Sequence, residues 1–163
     1  AWLTFLGPLF FVTYNFANRC ASRRQGVGAL MFPWERHLPF IPWTAIPYWS
    51  SDVLYALSFA TCKNREETDL HGKRLLAIQI FCIACFLVFP LRCTFERPPV
   101  QGLPGKLFAA LEGFDLPFNQ APSLHVALAV ILWARFRRTA SGHLKTLLAA
   151  WFVLIAVSSL TSA

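Results

Sequence analysis

Polar and apolar positions along this chain separate into long blocks and do not alternate at short spacing. Residues 1–18 (AWLTFLGPLFFVTYNFAN) carry no charge and end at Arg19, Arg23 and Arg24. Residues 38–62 hold one acid, Asp52, and residues 75–91 (LLAIQIFCIACFLVFPL) hold none. A fourth block, 121–134, stops at Arg135, Arg137 and Arg138, and a fifth runs from near Leu144 to Ala163 with only Lys145 near its start. A membrane-spanning helix needs about 20 apolar residues, with about 17 as the lower limit. The first, second, third and fifth blocks reach that length, and the fourth does so only with 118–120 or 135–138 added. The pattern predicts an all-α, polytopic transmembrane helix bundle of about five helices, forming one domain over residues 1–163. Residues 103–113 are expected to add a short amphipathic helix at the interface.

Composition strengthens this picture. Of the 163 residues, 56% are hydrophobic and 14% charged, where a soluble domain carries about 25% charged residues. The formal charge of +7 would suggest nucleic acid, but the bases flank apolar blocks, so membrane flanking accounts for them and no nucleic-acid partner is implied. Loops 19–37 and 92–120 share one side with seven Lys/Arg, and loops 63–74 and 135–145 share the other with eight. Loop 135–145, with four bases and no acid, is placed on the cytoplasmic side. The first block is not a signal peptide, because its bases follow the apolar run and do not precede it. The first residue is already apolar and the last block has no flanking charge, which reads as a piece of a longer membrane domain.

The five cysteines include Cys82 and Cys85, a C-x-x-C inside the third block. With no second pair, they read as small packing residues, and neither a disulfide nor a metal is assigned. Asp52 is costly in lipid and is expected to face the bundle interior or the interface. His37, His71 and His143 fall in charged loops and are expected to be solvated. Glu66, Glu67, Asp69 and Lys73 are expected to form an exposed loop. Trp2, Trp34, Trp43, Trp49 and Tyr48 sit near block ends, as interfacial aromatics do.

The segment 90–125, PLRCTFERPPVQGLPGKLFAALEGFDLPFNQAPSLH, concentrates the candidate chemistry. It returns the chain to the membrane face from which the third block emerged, so that Arg97 and His125 can converge. Pro122 and Ser123 make a helix start, with Pro122 expected in its first turn. Unoccupied N–H groups at a helix start attract phosphate, and an Arg fork adds bidentate donors. A histidine in the first turn can protonate a departing alcohol oxygen. These parts suit phosphoryl transfer at a membrane surface. A purely structural alternative makes Ser123 a cap and His125 a polar interface residue.

ERPP (96–99) followed by APSLH (121–125) resembles the first two signatures of the type 2 phosphatidic acid phosphatase superfamily, K-x6-R-P and P-S-G-H. P-S-L-H is similar to the branch containing inositol phosphorylceramide synthases. The whole chain also resembles the membrane domain of bacterial proteins in which a dual-specificity phosphatase domain follows. The resemblance implies a bundle of about six helices in a bacterial inner (plasma) membrane, acting on membrane lipid phosphates without a cofactor or metal. It implies that Arg97 binds phosphate, that Ser123 and the backbone N–H of Leu124 cradle it, and that His125 protonates the leaving group. The third signature, S-R-x5-H-x3-D, would supply a nucleophilic histidine that becomes phosphorylated and an aspartate that orients it. SSLTSA (158–163) matches its beginning, with Ser158 as the signature serine and the nucleophile expected at position 165. The match departs in three places. The signature lysine falls on Pro90, for which Arg92 is the nearest substitute but at different spacing, Ser159 stands where the third signature has arginine, and the nucleophilic histidine and its aspartate are absent from these 163 residues. The expected function is an integral membrane lipid-phosphate phosphatase or phosphotransferase, these 163 residues being inactive by themselves. The alternative is a non-catalytic transport or assembly subunit that keeps the bundle.

Overall fold

Each apolar block carries a helix. In the computed structural model, which describes residues 2–29, 40–92, 100–112, 118 and 121–161, the first block forms α1 (Trp2–Ser22). The second forms a 3₁₀ turn, Pro42–Thr44, that runs into α2 (Ala45–Ala60). The third lies in α3 (Arg65–Val88), and α4 (Gly102–Glu112) occupies the expected short helix. The fourth and fifth form α5 (Leu124–Phe136) and α6 (Gly142–Thr161). The described residues contain no strand, only an isolated bridge between Gly28 and Leu91.

The polar stretch expected as loop 63–74 is instead mostly the opening of α3. Asn64 is its N-cap, with a side chain that accepts the Glu67 N–H at 2.8 Å. Glu67 in turn accepts the Lys63 N–H at 3.1 Å. The Asn64 side chain thus satisfies a donor that the helix start leaves open, Glu67 holds the chain just before the cap, and the acids Glu66 and Glu67 suit the positive end of the helix dipole. Capping thus extends the helix beyond its apolar stretch.

Side-chain contacts set the helix directions. Trp2 Nε1 donates to Asp69 at 2.8 Å near the starts of α1 and α3, and Tyr14 meets Phe86 edge-on at 6.2 Å near their ends. These two helices therefore run parallel. At Gly72 an added Cβ would collide with the Trp2 indole, so the glycine allows the close approach of α1 to α3. The second parallel pair is α2 and α5: Tyr48 lies on His125 at their starts, and Arg135 reaches Thr61 at their ends. Helix α6 folds back on α5, with Phe152 against Trp133 and Phe136, and Trp151 Nε1 donates to Ser50 Oγ at 2.9 Å. One end of the helices, the motif end, gathers the end of α1, the start of α2, the end of α3 and the start of α5. The far end gathers their opposite termini.

Polarity is partly inverted. Leu6, Leu75, Phe86, Leu132 and Ile155 are buried, but so are Asn18, Ser51, Ser58, His71, Gln79, Arg135 and Ser158. Phe11, Phe16, Val53, Leu57, Ile80, Phe81, Val130, Leu147 and Val153 are exposed. Helix α3 and residues Gly142–Ser159 of α6 are long and apolar enough to cross a membrane. Helix α5 is apolar but has 13 residues, and α2 has 16, fewer than a spanning helix needs by itself. Two candidate spans among the described residues, in place of the four blocks expected to reach that length, give membrane association a narrower base than the hydropathy pattern suggested.

Two far-end residues depart from expectation. Arg135 is the last-turn base of α5 and is buried, not a solvated loop flank. Its Nε donates to Thr61 Oγ1 at 2.9 Å, and one terminal nitrogen reaches both the Thr61 carbonyl and Glu67 Oε2, the latter at 2.8 Å. His71, expected to be solvated, is buried in α3, with Nε2 2.7 Å from Ser58 Oγ on α2. Asp52 on α2 is exposed, so of the two expected positions the bundle interior is not the one it takes.

Removing the carboxylate from the buried guanidinium should be costly. Glu67→Gln is expected to lower stability, because the buried Arg135 guanidinium loses its carboxylate partner. Adding Arg135→Met should recover part of that loss, since the unpaired charge is then gone. Thermal unfolding in detergent measures both, and strictly additive losses would show the two groups uncoupled. Gly72→Ala should destabilise by roughly 1–3 kcal/mol through overpacking against Trp2, and Trp2→Ala should make the same substitution much milder.

Candidate functional site

The candidate residues that the structure describes lie at the motif end. Ser123 is the N-cap of α5, with extended backbone, and its hydroxyl accepts the Val126 N–H at 3.4 Å. Its carbonyl accepts the Ala127 N–H at 3.1 Å, which starts the helix ladder. Pro122 stands just before the cap and not in the first turn as expected. A helix leaves its first N–H groups without intrahelical acceptors. Here Ser123 occupies those of Val126 and Ala127. Those of Leu124 and His125 have no acceptor among the described residues.

Leu124 has two roles available to its two parts. Its side chain is buried with Ala17, Cys82, Ile83 and Phe86, joining α5 to α1 and α3. That packing fixes the helix start against a rigid support while its N–H stays available. Cys82 thus serves in the core, and Cys85 is half-buried beside it in sequence.

His125 is half-buried, and its ring is stacked on Tyr48 of α2 with centroids 3.9 Å apart and an interplanar angle of 26°. Neither ring nitrogen has a hydrogen-bond partner among the described residues. His71 contrasts with it: its Nε2 is committed to Ser58 and its ring meets Phe59 edge-on at 5.0 Å. His143, in the first turn of α6, is exposed at the far end. Among the described residues, His125 is thus the histidine at the motif end whose ring nitrogens lack a hydrogen-bond partner; His37 lies outside the described residues.

Arg92 follows α3, is exposed, and belongs to the motif end, where its N–H donates to the Gly28 carbonyl at 2.8 Å. That bond ties the segment after α3 to the segment after α1. Arg97, with Glu96, Asn119 and Gln120, lies outside the described residues. Lys106 is exposed on α4. Ser158 is buried near the end of α6, where its hydroxyl donates to the Ile155 carbonyl at 2.7 Å, and Ser159 bonds the Ala156 carbonyl at 2.7 Å.

Two motif-end residues were not anticipated. Tyr48 was read as an interfacial aromatic, yet its ring covers His125. Asn18 is fully buried in α1, and both polar atoms of its side chain lack partners among the described residues. An uncharged asparagine inside a hydrophobic block is the signal that could have found it. For Tyr48 the sequence offers no comparable signal, since the contact joins positions 77 residues apart.

Compared with known proteins, the chain matches no family model, no curated protein and no solved structure. Ser123→Ala should remove the cap and cost about 1 kcal/mol of stability. Ser123→Asp, which also caps, should restore it in thermal unfolding, while placing a negative charge where a phosphate would sit. Inorganic phosphate should therefore protect the wild type from unfolding more than it protects Ser123→Asp.

Proposed function

We propose that this chain is a multi-pass membrane domain of a lipid-phosphate phosphatase or phosphotransferase, of the kind represented by the type 2 phosphatidic acid phosphatases. The observation that carries the reading is the start of α5: a capping serine, two backbone N–H groups and a half-buried imidazole, where neither the N–H groups nor the ring nitrogens have a hydrogen-bond partner among the described residues. An exposed guanidinium, Arg92, stands at the same end of the helices. The exposed apolar side chains of α1, α2, α3 and α6 and the polar ones they enclose support placing those helices with α5 in a bilayer, where polar groups turn inward. A bacterial inner membrane follows from the resemblance of the motifs alone.

In this reading the phosphate of a membrane lipid sits on the N–H groups of Leu124 and His125 and on the Ser123 hydroxyl. Arg97, with Arg92 in place of the signature lysine, neutralises its charge. A histidine of the third signature attacks phosphorus, the P–N bond forms as the P–O bond to the lipid alcohol breaks, and His125 hands a proton to the departing oxygen. Water, or a second lipid alcohol, then attacks the phosphorus of the phosphohistidine while His125 takes its proton; the new P–O bond forms as the P–N bond to the histidine breaks. Hydrolysis and transfer differ only in that acceptor.

The test is phosphate release from phosphatidic acid in detergent without added metal. A chain that carries the whole third signature, through its His-x-x-x-Asp, should turn over, and residues 1–163 alone should not. In the active chain His125→Ala should lower kcat by about 10²–10⁴-fold, the usual worth of general acid catalysis. Clear turnover by residues 1–163 would place the nucleophile elsewhere. No turnover on any lipid phosphate by the chain with the whole signature would overturn the reading.

A further inference from the structure

We infer that Tyr48 is the positioning residue of His125, its phenol ring acting as a platform that sets the plane of the imidazole for an oxyanion ligand. The inference rests on the lipid-phosphate reading. A histidine ring rotates broadly about its Cβ–Cγ bond, and a place in the first turn of a helix does not settle that angle. The stack on Tyr48, with centroids 3.9 Å apart, does.

The platform is itself held. Tyr48 lies in the first turn of α2, where Ala45 is buried among Phe40, Tyr48, Trp49, Val100 and Leu107. Ser51 Oγ donates to the Tyr48 carbonyl at 2.7 Å, and the neighbouring Ser50 accepts from Trp151 of α6. Helix α2 therefore presents the ring from a braced turn, while α5 presents His125.

The geometry also suits a group that must exchange a proton. Both imidazole nitrogens lie in the ring plane, so a contact through the face leaves their lone pair and N–H unobstructed. His71 shows the other solution, in which a nitrogen is spent on Ser58. An aromatic face attracts a cation, so the stack persists when the imidazole is protonated. A proton donor has to hold its place in both states. The ring supplies all of this, and the Tyr48 hydroxyl is not needed for it.

The experiment is NMR of histidine-labelled chain in detergent micelles, for the wild type, Tyr48→Phe and Tyr48→Leu, with His125 assigned from its loss in His125→Gln. Ring-current shielding should place the His125 ring protons upfield of those of exposed His143 in the wild type and in Tyr48→Phe. In Tyr48→Leu they should move downfield, while the His71 signals stay in place. Titration with inorganic phosphate should shift the His125 signals in the wild type and in Tyr48→Phe. It should do so about tenfold more weakly in Tyr48→Leu, the loss expected for one charge-assisted hydrogen bond. Wild-type His125 protons without an upfield shift would overturn the stack directly, whether or not the leucine variant folds. A leucine variant with displaced ring signals but wild-type phosphate affinity would overturn the positioning role. No phosphate response in any chain would overturn the phosphate reading and leave the stack standing as packing.

Discussion

The Arg135 guanidinium is the contact on which the arrangement depends. It is buried at the far end, where it holds Thr61 after α2 and Glu67 in α3 from its place on α5. Three helices are thereby fixed in register at one level. Helix α5 rises about 15 Å over the ten residues back to His125, and a slip of one turn at the far end would move His125 by about 5 Å at the other. The guanidinium itself is nearly enclosed, while its carboxylate partner Glu67 stays partly open to solvent.

The same logic runs through the polar interior. Gln79 of α3 donates to Thr13 of α1 at 3.3 Å, and Ser58 of α2 meets His71 of α3. Packing of apolar side chains alone would permit several rotations of each helix. Hydrogen bonds between named side chains select one, and where the surroundings are lipid the hydrophobic effect does not bring helices together, so packing and polar contacts must. The broad apolar exterior, with Phe11, Phe16, Val53 and Phe81 on it, is the complement of that design.

Much of this was legible in the chain, and the reasons for the rest are specific. Block boundaries found the helices because apolar runs bounded by bases are hard to place otherwise. The cap at Ser123 was legible because capping is local chemistry within four residues. The start of α3 was not read, although Asn64 and Glu67 stand at capping-box spacing; the acids and bases around them looked like loop. His71 was assigned to solvent and Arg135 to a loop for the same reason, and both are buried because partners arrive from other helices. Local sequence marks a polar residue but cannot say which distant residue will satisfy it. The site followed the same division: Ser123 and His125 announced themselves as neighbours, whereas Tyr48 belongs to them only through the parallel course of α2 and α5.

The pairing of α1 with α3 has a consequence for biogenesis. These helices are parallel neighbours, held by Trp2 with Asp69, Thr13 with Gln79 and Tyr14 with Phe86, and α2 lies between them in the chain. As the ribosome delivers the protein, α1 is complete long before its partner exists. Until α3 is made, Thr13 and the Trp2 indole lack their cross-helix partners, Gln79 and Asp69. Whatever covers them in that interval must later be displaced by α3. The contacts that fix α1 therefore form only once the third helix is made, and not with the first hairpin to emerge.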